Sequence, residues 1–333
     1  MIPSNTLSLF PSLSPYDSRK LAVGDGHVLY LEQYGNPDGA PAVFLHGGPG
    51  SGCQSEQARL FNPKQHRIIL FDQRGAGRSQ PKRELTNNTI LHLIADMESI
   101  RQSLAVEQWL LVGGSWGSTL AIAYAETHPH RVLGIVLRAV FLGTREEVIW
   151  AFETAAQIFY PELWQHFTSL LSPSEREDPI ESYGARLSDP DPRIHLPAAQ
   201  TWNKFESSLS VLDPDSLILP NRLFESSATK DNAGPNTPYV EWHYISQDCF
   251  LVPGQLLDNA DNLVGIPGII VQGRYDLLCP PKTAVQLAAR WPDAELRIVP
   301  GSGHSAAEPL IRSALVAAIR DINKRVKQPT LSQ

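Results

Sequence analysis

Residues 113–117 read Gly113-Gly114-Ser115-Trp116-Gly117. An apolar run, Trp109-Leu110-Leu111-Val112, precedes them, and an alanine-rich helical stretch, Thr119 to Glu126, follows. A serine in G-x-S-x-G between a strand and a helix forms a nucleophile elbow. The turn is so tight that only glycines fit on either side of the serine, and it lifts the hydroxyl clear of the sheet toward a substrate. A glycine-rich turn with an incidental serine has the same five letters. The flanking strand and helix are what turn the reading toward function. The stretch thus proposes a fold, a reaction class and a residue.

The rest of the chain supplies the sheet that the elbow needs. Lys20 to Val23 and Val28 to Tyr34 flank Gly24-Asp25-Gly26, a hairpin signal. Ala42 to Leu45, Arg67 to Phe71, Trp109 to Val112 and Val132 to Leu137 are short apolar runs bounded by turn residues, as in strands buried on both faces of a parallel sheet. Gly268 to Val271 and Leu296 to Val299 repeat the pattern. Between strands lie helical patterns. Ile90, Leu93, Ile94, Met97, Ile100 and Leu104 recur at spacings of three and four, with Asn87 or Asn88 as the expected N-cap. Ala307 to Val326 reads as a closing helix. Strands alternating with helices predict an α/β class with a mostly parallel twisted sheet flanked by helices. The alternation breaks between about Leu142 and Leu251, where Trp, Phe, Tyr, Pro and acids accumulate. The expected organisation is an extended leader (1–17), a core from 18–141 and 251–333, and an inserted, mainly helical cap (142–250).

Bulk properties bound the function. The chain has 333 residues, 42% hydrophobic and 19% charged, enough for a large core. Its net charge is −7 and no basic cluster occurs, which excludes nucleic acid as an expected partner. No apolar run reaches membrane-spanning length, so no membrane partner is expected. Cys53, Cys249 and Cys279 are odd in number and far apart, which suits a reducing, cytoplasmic setting. His128-Pro129-His130 resembles a metal pair only superficially, since no further ligands cluster near it, and no metal or cofactor is expected. Residues 143–250 hold seventeen Asp and Glu against seven Lys and Arg, an acidic excess that would favour a cationic substrate. Oligomeric state is not legible.

A serine hydroxyl needs a base, and the base needs an orienting carboxylate. On this kind of sheet the chain order is Ser, Asp or Glu, then His. The run from Gly268 to Gly273 leads into Arg274-Tyr275-Asp276, and the run from Leu296 to Val299 leads through Pro300-Gly301-Ser302-Gly303 to His304. Both candidates follow strand ends, on the rim where such sheets bind ligands. An oxyanion hole requires two backbone donors. Trp116, after the nucleophile, supplies one, and Gly48 in His46-Gly47-Gly48-Pro49-Gly50 is expected to supply the other. His46 precedes the nucleophile and is expected to hold this loop. The turn Asp72-Gln73-Arg74-Gly75-Ala76-Gly77-Arg78-Ser79 is expected to brace the elbow.

Taken together, the segments His46–Gly50, Asp72–Ser79, Gly113–Gly117, Gly273–Asp276 and Gly301–His304 resemble the proline iminopeptidases (prolyl aminopeptidases), serine peptidases of the α/β-hydrolase superfamily. The likeness runs over about residues 17–325 in the same order. It implies release of an N-terminal proline from a peptide, with Ser115, Asp276 and His304 as catalytic residues. It also implies that cap carboxylates hold the free amino group. Trp202-Asn203-Lys204-Phe205-Glu206 and Glu241-Trp242-His243-Tyr244 match the two segments concerned, giving Glu206 and Glu241. An N-terminal proline is a secondary ammonium with two N–H donors, which two carboxylates can accept in charge-assisted bonds. Phe141, Trp150 and Tyr244 are the candidates for an apolar slot around the proline ring, and Cys279 is expected near the triad as a bystander. The expected partner is a peptide with a free N-terminal proline. The alternative is an esterase or other acyl hydrolase on the same scaffold.

Overall fold

A computed structural model describes residues 6–212 and 235–326. The expected division into leader, core and cap runs partly through 1–5, 213–234 and 327–333, which lie outside the described residues. The eight strands are β1 (Asp17–Gly24), β2 (His27–Gly35), β3 (Ala40–Leu45), β4 (His66–Asp72), β5 (Trp109–Ser115), β6 (Val132–Val140), β7 (Gly268–Gly273) and β8 (Ala294–Val299). They form one sheet in the order β1-β2-β4-β3-β5-β6-β7-β8. The β1–β2 and β2–β4 pairs are antiparallel. Every other pair is parallel.

The strands expected from apolar runs all occur, and their burial explains why. β5 and β7 are buried almost throughout, so both faces accept apolar side chains. β8 departs from that pattern. It is an edge strand, only half-buried at five of its six positions, and Glu295 and Arg297 alternate along it.

Helices α1 (Ile90–Ser103) and α2 (Trp116–Thr127) pack their apolar stripes on one face of the sheet, as does α10 (Pro281–Arg290). Helix α11 (Pro309–Arg325) covers the other face. The N-cap of α1 is Thr89, not Asn87 or Asn88. The Asn88 side chain is already committed: its Nδ2 donates to the carbonyls of Arg74 and Glu84, and its Oδ1 accepts from the Tyr244 hydroxyl. Residues 6–16 are extended and docked. Leu7 N donates to Ser313 Oγ of α11 at 2.7 Å, and Leu7, Leu9, Phe10 and Leu13 pack on the apolar cluster under α11.

Between β6 and β7 the described residues form α3 (Arg145–Ile149), α4 (Ala155–Phe159), α5 (Pro161–Thr168), α6 (Pro179–Leu187), α7 (Pro192–Leu209), α8 (Thr237–Ile245) and the short α9 (Gln255–Asp258). Proline and capping residues start them. Asp178 precedes Pro179 and Asp191 precedes Pro192, each aspartate accepting from a backbone N–H of the helix it opens. Thr144 and Glu147 form a capping box for α3. These helices have their own aromatic core, in which Phe167 stacks on Tyr183 at 4.2 Å and on Phe205 at 4.1 Å.

One carboxyl inside the core has a consequence for stability. Glu126, near the end of α2, is buried with Oε1 unpartnered, and burial pushes it up to about 8. Its folded value lies above its ordinary 4.5, so its protonated form favours the fold. That contribution is complete below the unfolded value and is lost as pH rises toward about 8. Glu126→Gln is therefore expected to raise Tm, by a margin that grows between acidic and mildly alkaline buffer. A margin independent of pH in paired thermal melts would refute this.

Candidate active site

Ser115 ends β5 and precedes α2 with φ 57° and ψ −128°, a backbone conformation that costs energy for a non-glycine residue. The flanking glycines make the turn feasible. A Cβ on Gly113 would overlap the Gly117 carbonyl oxygen, and one on Gly117 would overlap the carbonyl oxygen of Leu45. Opposite Ser115 the β5–β6 ladder slips by one residue, where Ala139 takes a positive φ of 50°. The hydroxyl thus stands at the carboxyl end of the sheet.

Asp276 and His304 lie in the loops after β7 and β8, as the chain order requires. Nδ1 of His304 is 3.0 Å from both Oδ1 and Oδ2 of Asp276. Asp276 Oδ1 also accepts from the N–H groups of Leu278 (3.1 Å) and Cys279 (2.8 Å). With its proton held on Nδ1 by the carboxylate, the imidazole has a free lone pair on Nε2. Burial is the main reason its pKa falls below the ordinary 6.5; Asp276 pulls the other way, and the Arg138 charge lowers it further. The ring is therefore neutral at pH 7. Cys279 lies beside this group, its backbone N–H on Asp276 and its thiol pushed up by burial.

Four of the expected residues meet at one cavity of about 350 Å³: Ser115, His304, Gly48 and Glu206 all line it. Gly48 has a φ of +104°, and a Cβ there would crowd Ser51. The N–H of Trp116, first in α2, has no partner within its own helix. One side chain from the β4 turn braces both segments. Gln73 Oε1 accepts from the Trp116 indole at 2.9 Å, and Gln73 Nε2 donates to the His46 carbonyl at 3.0 Å. His46 Nε2 accepts from Gln73 N at 3.0 Å, its Nδ1 donates to the Gly47 carbonyl at 2.9 Å, and burial keeps it neutral. Arg74 pairs with Asp96 of α1 through two bonds of 2.7 and 2.8 Å, fixing the turn from below.

Glu206 projects from α7 and Glu241 from α8. Their carboxyls interact, and both are raised: burial is the larger cause, and the Glu206 charge adds to it at Glu241. The Trp202 indole, one turn before Glu206, donates to Glu241 Oε2 at 2.6 Å. The W-x-x-x-E segment therefore contributes a carboxylate and the group that orients its partner. Glu241 sits behind the cavity wall and does not line it.

The three aromatic candidates fall elsewhere. Tyr244 is buried with its hydroxyl on Asn88 Oδ1 (2.7 Å) and its ring against Trp116. The Trp150 indole donates to the Leu277 carbonyl at 2.9 Å, and Phe141 packs between two core clusters. None of them lines the cavity, whose apolar wall includes Phe44, Val112, Val211 and Leu278.

Sequence reasoning missed several supports. Arg138 of β6 lines the cavity and donates to the His304 carbonyl at 2.7 Å. Gln272 of β7 donates to Asp276 Oδ2 (3.3 Å) and to the Cys279 carbonyl (2.8 Å). Glu308 accepts from Gly303 N and Leu212 N, both at 2.7 Å. No motif spacing announces such residues: Arg138 and Glu308 reach segments remote in sequence, and Gln272, four residues before Asp276, follows no pattern. Among the described residues, no group of three or more His, Cys, Asp or Glu could hold a metal ion. None of their helices is long and apolar enough to cross a membrane.

Comparison with known proteins places this arrangement. Residues 41–308 match the family model of the alpha/beta hydrolase fold. A proline iminopeptidase of Xylella fastidiosa is 44% identical over 93% of this chain and 98% of its own length. One from Arabidopsis thaliana is 43% identical over 94% of this chain and 82% of its own. Among solved structures, an alpha/beta fold family hydrolase from Bacillus anthracis superposes with a TM-score of 0.63 at 17% identity, over 93% of this chain and all of that one. Sheet, elbow and near full-length identity agree: the chain belongs to the proline iminopeptidase family of α/β-hydrolases.

Proposed function

We propose that the protein releases N-terminal proline from peptides through an acyl-enzyme on Ser115. The observation that carries the reading is the meeting of Ser115, His304 and Glu206 at one cavity. In the proposed reaction His304 Nε2 takes the Ser115 proton as Oγ attacks the prolyl carbonyl carbon. The negative charge that develops on the carbonyl oxygen is met by the N–H groups of Gly48 and Trp116, donors of a kind worth roughly 2.7–4 kcal/mol each. As the C–N bond breaks, His304 returns the proton to the departing amine. A water molecule, deprotonated by His304, then attacks the acyl carbon, frees proline and restores the Ser115 hydroxyl. Asp276 holds the Nδ1 proton throughout and stabilises the imidazolium that forms.

Glu206 and Glu241 select the substrate in this reading. A buried pair of carboxyls resists double ionisation. A secondary ammonium arriving at Glu206, with Glu241 behind it, supplies the missing positive charge and two N–H donors. An internal peptide bond or a blocked amine brings neither, so the pair would restrict cleavage to the first residue. The helices from α3 to α8 act as the cap that carries both acids over the sheet.

Three outcomes are expected. Ser115→Ala should fold with an unchanged melting profile and lose about 10⁴–10⁶-fold in kcat; wild-type turnover by this variant would remove Ser115 from the chemistry. Glu206→Gln and Glu241→Gln should each lower kcat/KM for prolyl p-nitroanilide on the order of 10²–10³-fold, the scale of breaking one partner of a buried ion pair. N-acetylprolyl p-nitroanilide should be a poor substrate of the wild type and indifferent to these changes. Equal rates on the blocked and free compounds would support the esterase reading instead. On acidification, kcat/KM for the free-amine amide should fall at a higher pH than it does for p-nitrophenyl acetate. Burial pushes Glu206 up to about 7, whereas it lowers the base below 6.5. Coincident acidic limbs would argue against an anchor that must ionise.

A further inference from the structure

We propose that Glu308 is a positioning residue that latches helix α7 to the His304 loop, and so fixes the distance between the substrate's charged end and its reacting bond. The inference rests on the amine-anchor reading of Glu206.

Glu308 stands at the N-cap of α11, yet its side chain does not cap that helix. The buried carboxylate turns away and divides its two oxygens between two other segments. Oε2 accepts from Gly303 N at 2.7 Å, immediately before His304. Oε1 accepts from Leu212 N at 2.7 Å, just past the end of α7 and 96 residues distant in sequence. Charge-assisted bonds to backbone N–H groups are among the stronger kind. Among the described residues no basic side chain forms an ion pair with Glu308, so these two amides are its main partners.

A second set of bonds runs beside the carboxylate. The Ser210 carbonyl accepts from His304 N at 3.1 Å and Ser305 N at 2.7 Å, while Ser210 N donates to the Glu206 carbonyl at 3.0 Å. An unbroken line of backbone hydrogen bonds therefore leads from Glu206 to His304. Arg138 holds the far side of the His304 peptide at its carbonyl. The histidine loop is thus seated between a guanidinium from the sheet and the last turn of α7. Glu308 is the side chain that binds both halves of that seat. Losing it leaves the Ser210 carbonyl alone to hold α7 against the loop, which can then shift while Asp276 keeps its hold on the imidazole.

A shift of this kind should affect substrates unequally. A prolyl amide must reach Glu206 and Ser115 at once, and a misplacement on the order of 1 Å can cost about 10²-fold. A small activated ester makes no use of Glu206. The test measures kcat and KM of full-length wild type, Glu308→Gln and Glu308→Asp on prolyl p-nitroanilide and p-nitrophenyl acetate. Both variants are also made in a Glu206→Gln background, and thermal melts establish that each protein is folded. The ratio of the two kcat/KM values, amide over ester, is expected to fall about tenfold in the single variants. In the Glu206→Gln background it should not fall further, since the latch acts through that residue. Should Glu308→Gln fail to fold, Glu308→Asp, one methylene too short to span both amides, carries the same comparison. An equal loss on both substrates, or additive losses in the double variants, overturns the latch. If Glu206→Gln alone leaves the ratio unchanged, the anchor reading itself fails and the latch falls with it.

Discussion

The close approach of three backbones governs this molecule. The turn after β5 presses on the end of β3, where Gly117 lies against the Leu45 carbonyl and Gly113 against Gly117 itself. No side chain fits at either glycine, and Ser115 between them is held at φ 57°. Such backbone strain is of order 1–3 kcal/mol and persists only where the surroundings over-determine it. Here they do. Gln73 ties the β4 turn to Trp116 on one side and to His46 on the other, and Arg74 ties the same turn to α1. The glycine-rich turn after β4 therefore belongs to the elbow's support, although it is far from it in sequence.

The proposed chemistry draws on one physical cause acting in two directions. Removal from water disfavours whichever form is charged. It lowers the histidine and raises the two glutamates. The same dry cavity thus keeps a base neutral and ready, and keeps its acids from ionising together without a cation. Two backbone N–H groups and the Gln272 amide accompany the imidazole around the Asp276 carboxylate. Specificity and reactivity share this environment rather than being separate additions to the fold.

The sheet, the elbow and the Asp276–His304 pairing were legible because each is local. Apolar runs ending in glycine turns mark strand ends, and strand ends on one rim meet whatever the loop between them does. Glu206 and Glu241 were legible through family motifs, and the structure couples them through the Trp202 indole. What escaped was mostly contact between segments remote in sequence. Glu308 and Arg138 reach Leu212 and His304 only in the finished packing, and Gln272 has no spacing signal. The three aromatic candidates, which do not line the cavity, show the same effect. Tyr244 follows Glu241 by three residues, but its hydroxyl bonds Asn88, 156 residues away, and its ring packs on Trp116. Asn88, in turn, was unavailable to cap α1.

The order of the strands also bears on how the chain is born. β6 leaves the ribosome long before its neighbour β7, because residues 141–267 intervene. At synthesis rates of roughly 5–20 residues per second that interval is on the order of ten seconds. During it, one edge of a sheet holding six of the eight strands stands open, with the backbone groups of Ile135 to Arg138 unpaired by β7. An open apolar edge is a template for pairing with another chain. The nascent protein thus passes through a stage more prone to association than the finished one. Ser115, the proposed nucleophile, is already made when that stage begins, while Asp276 and His304 arrive only with the last strands.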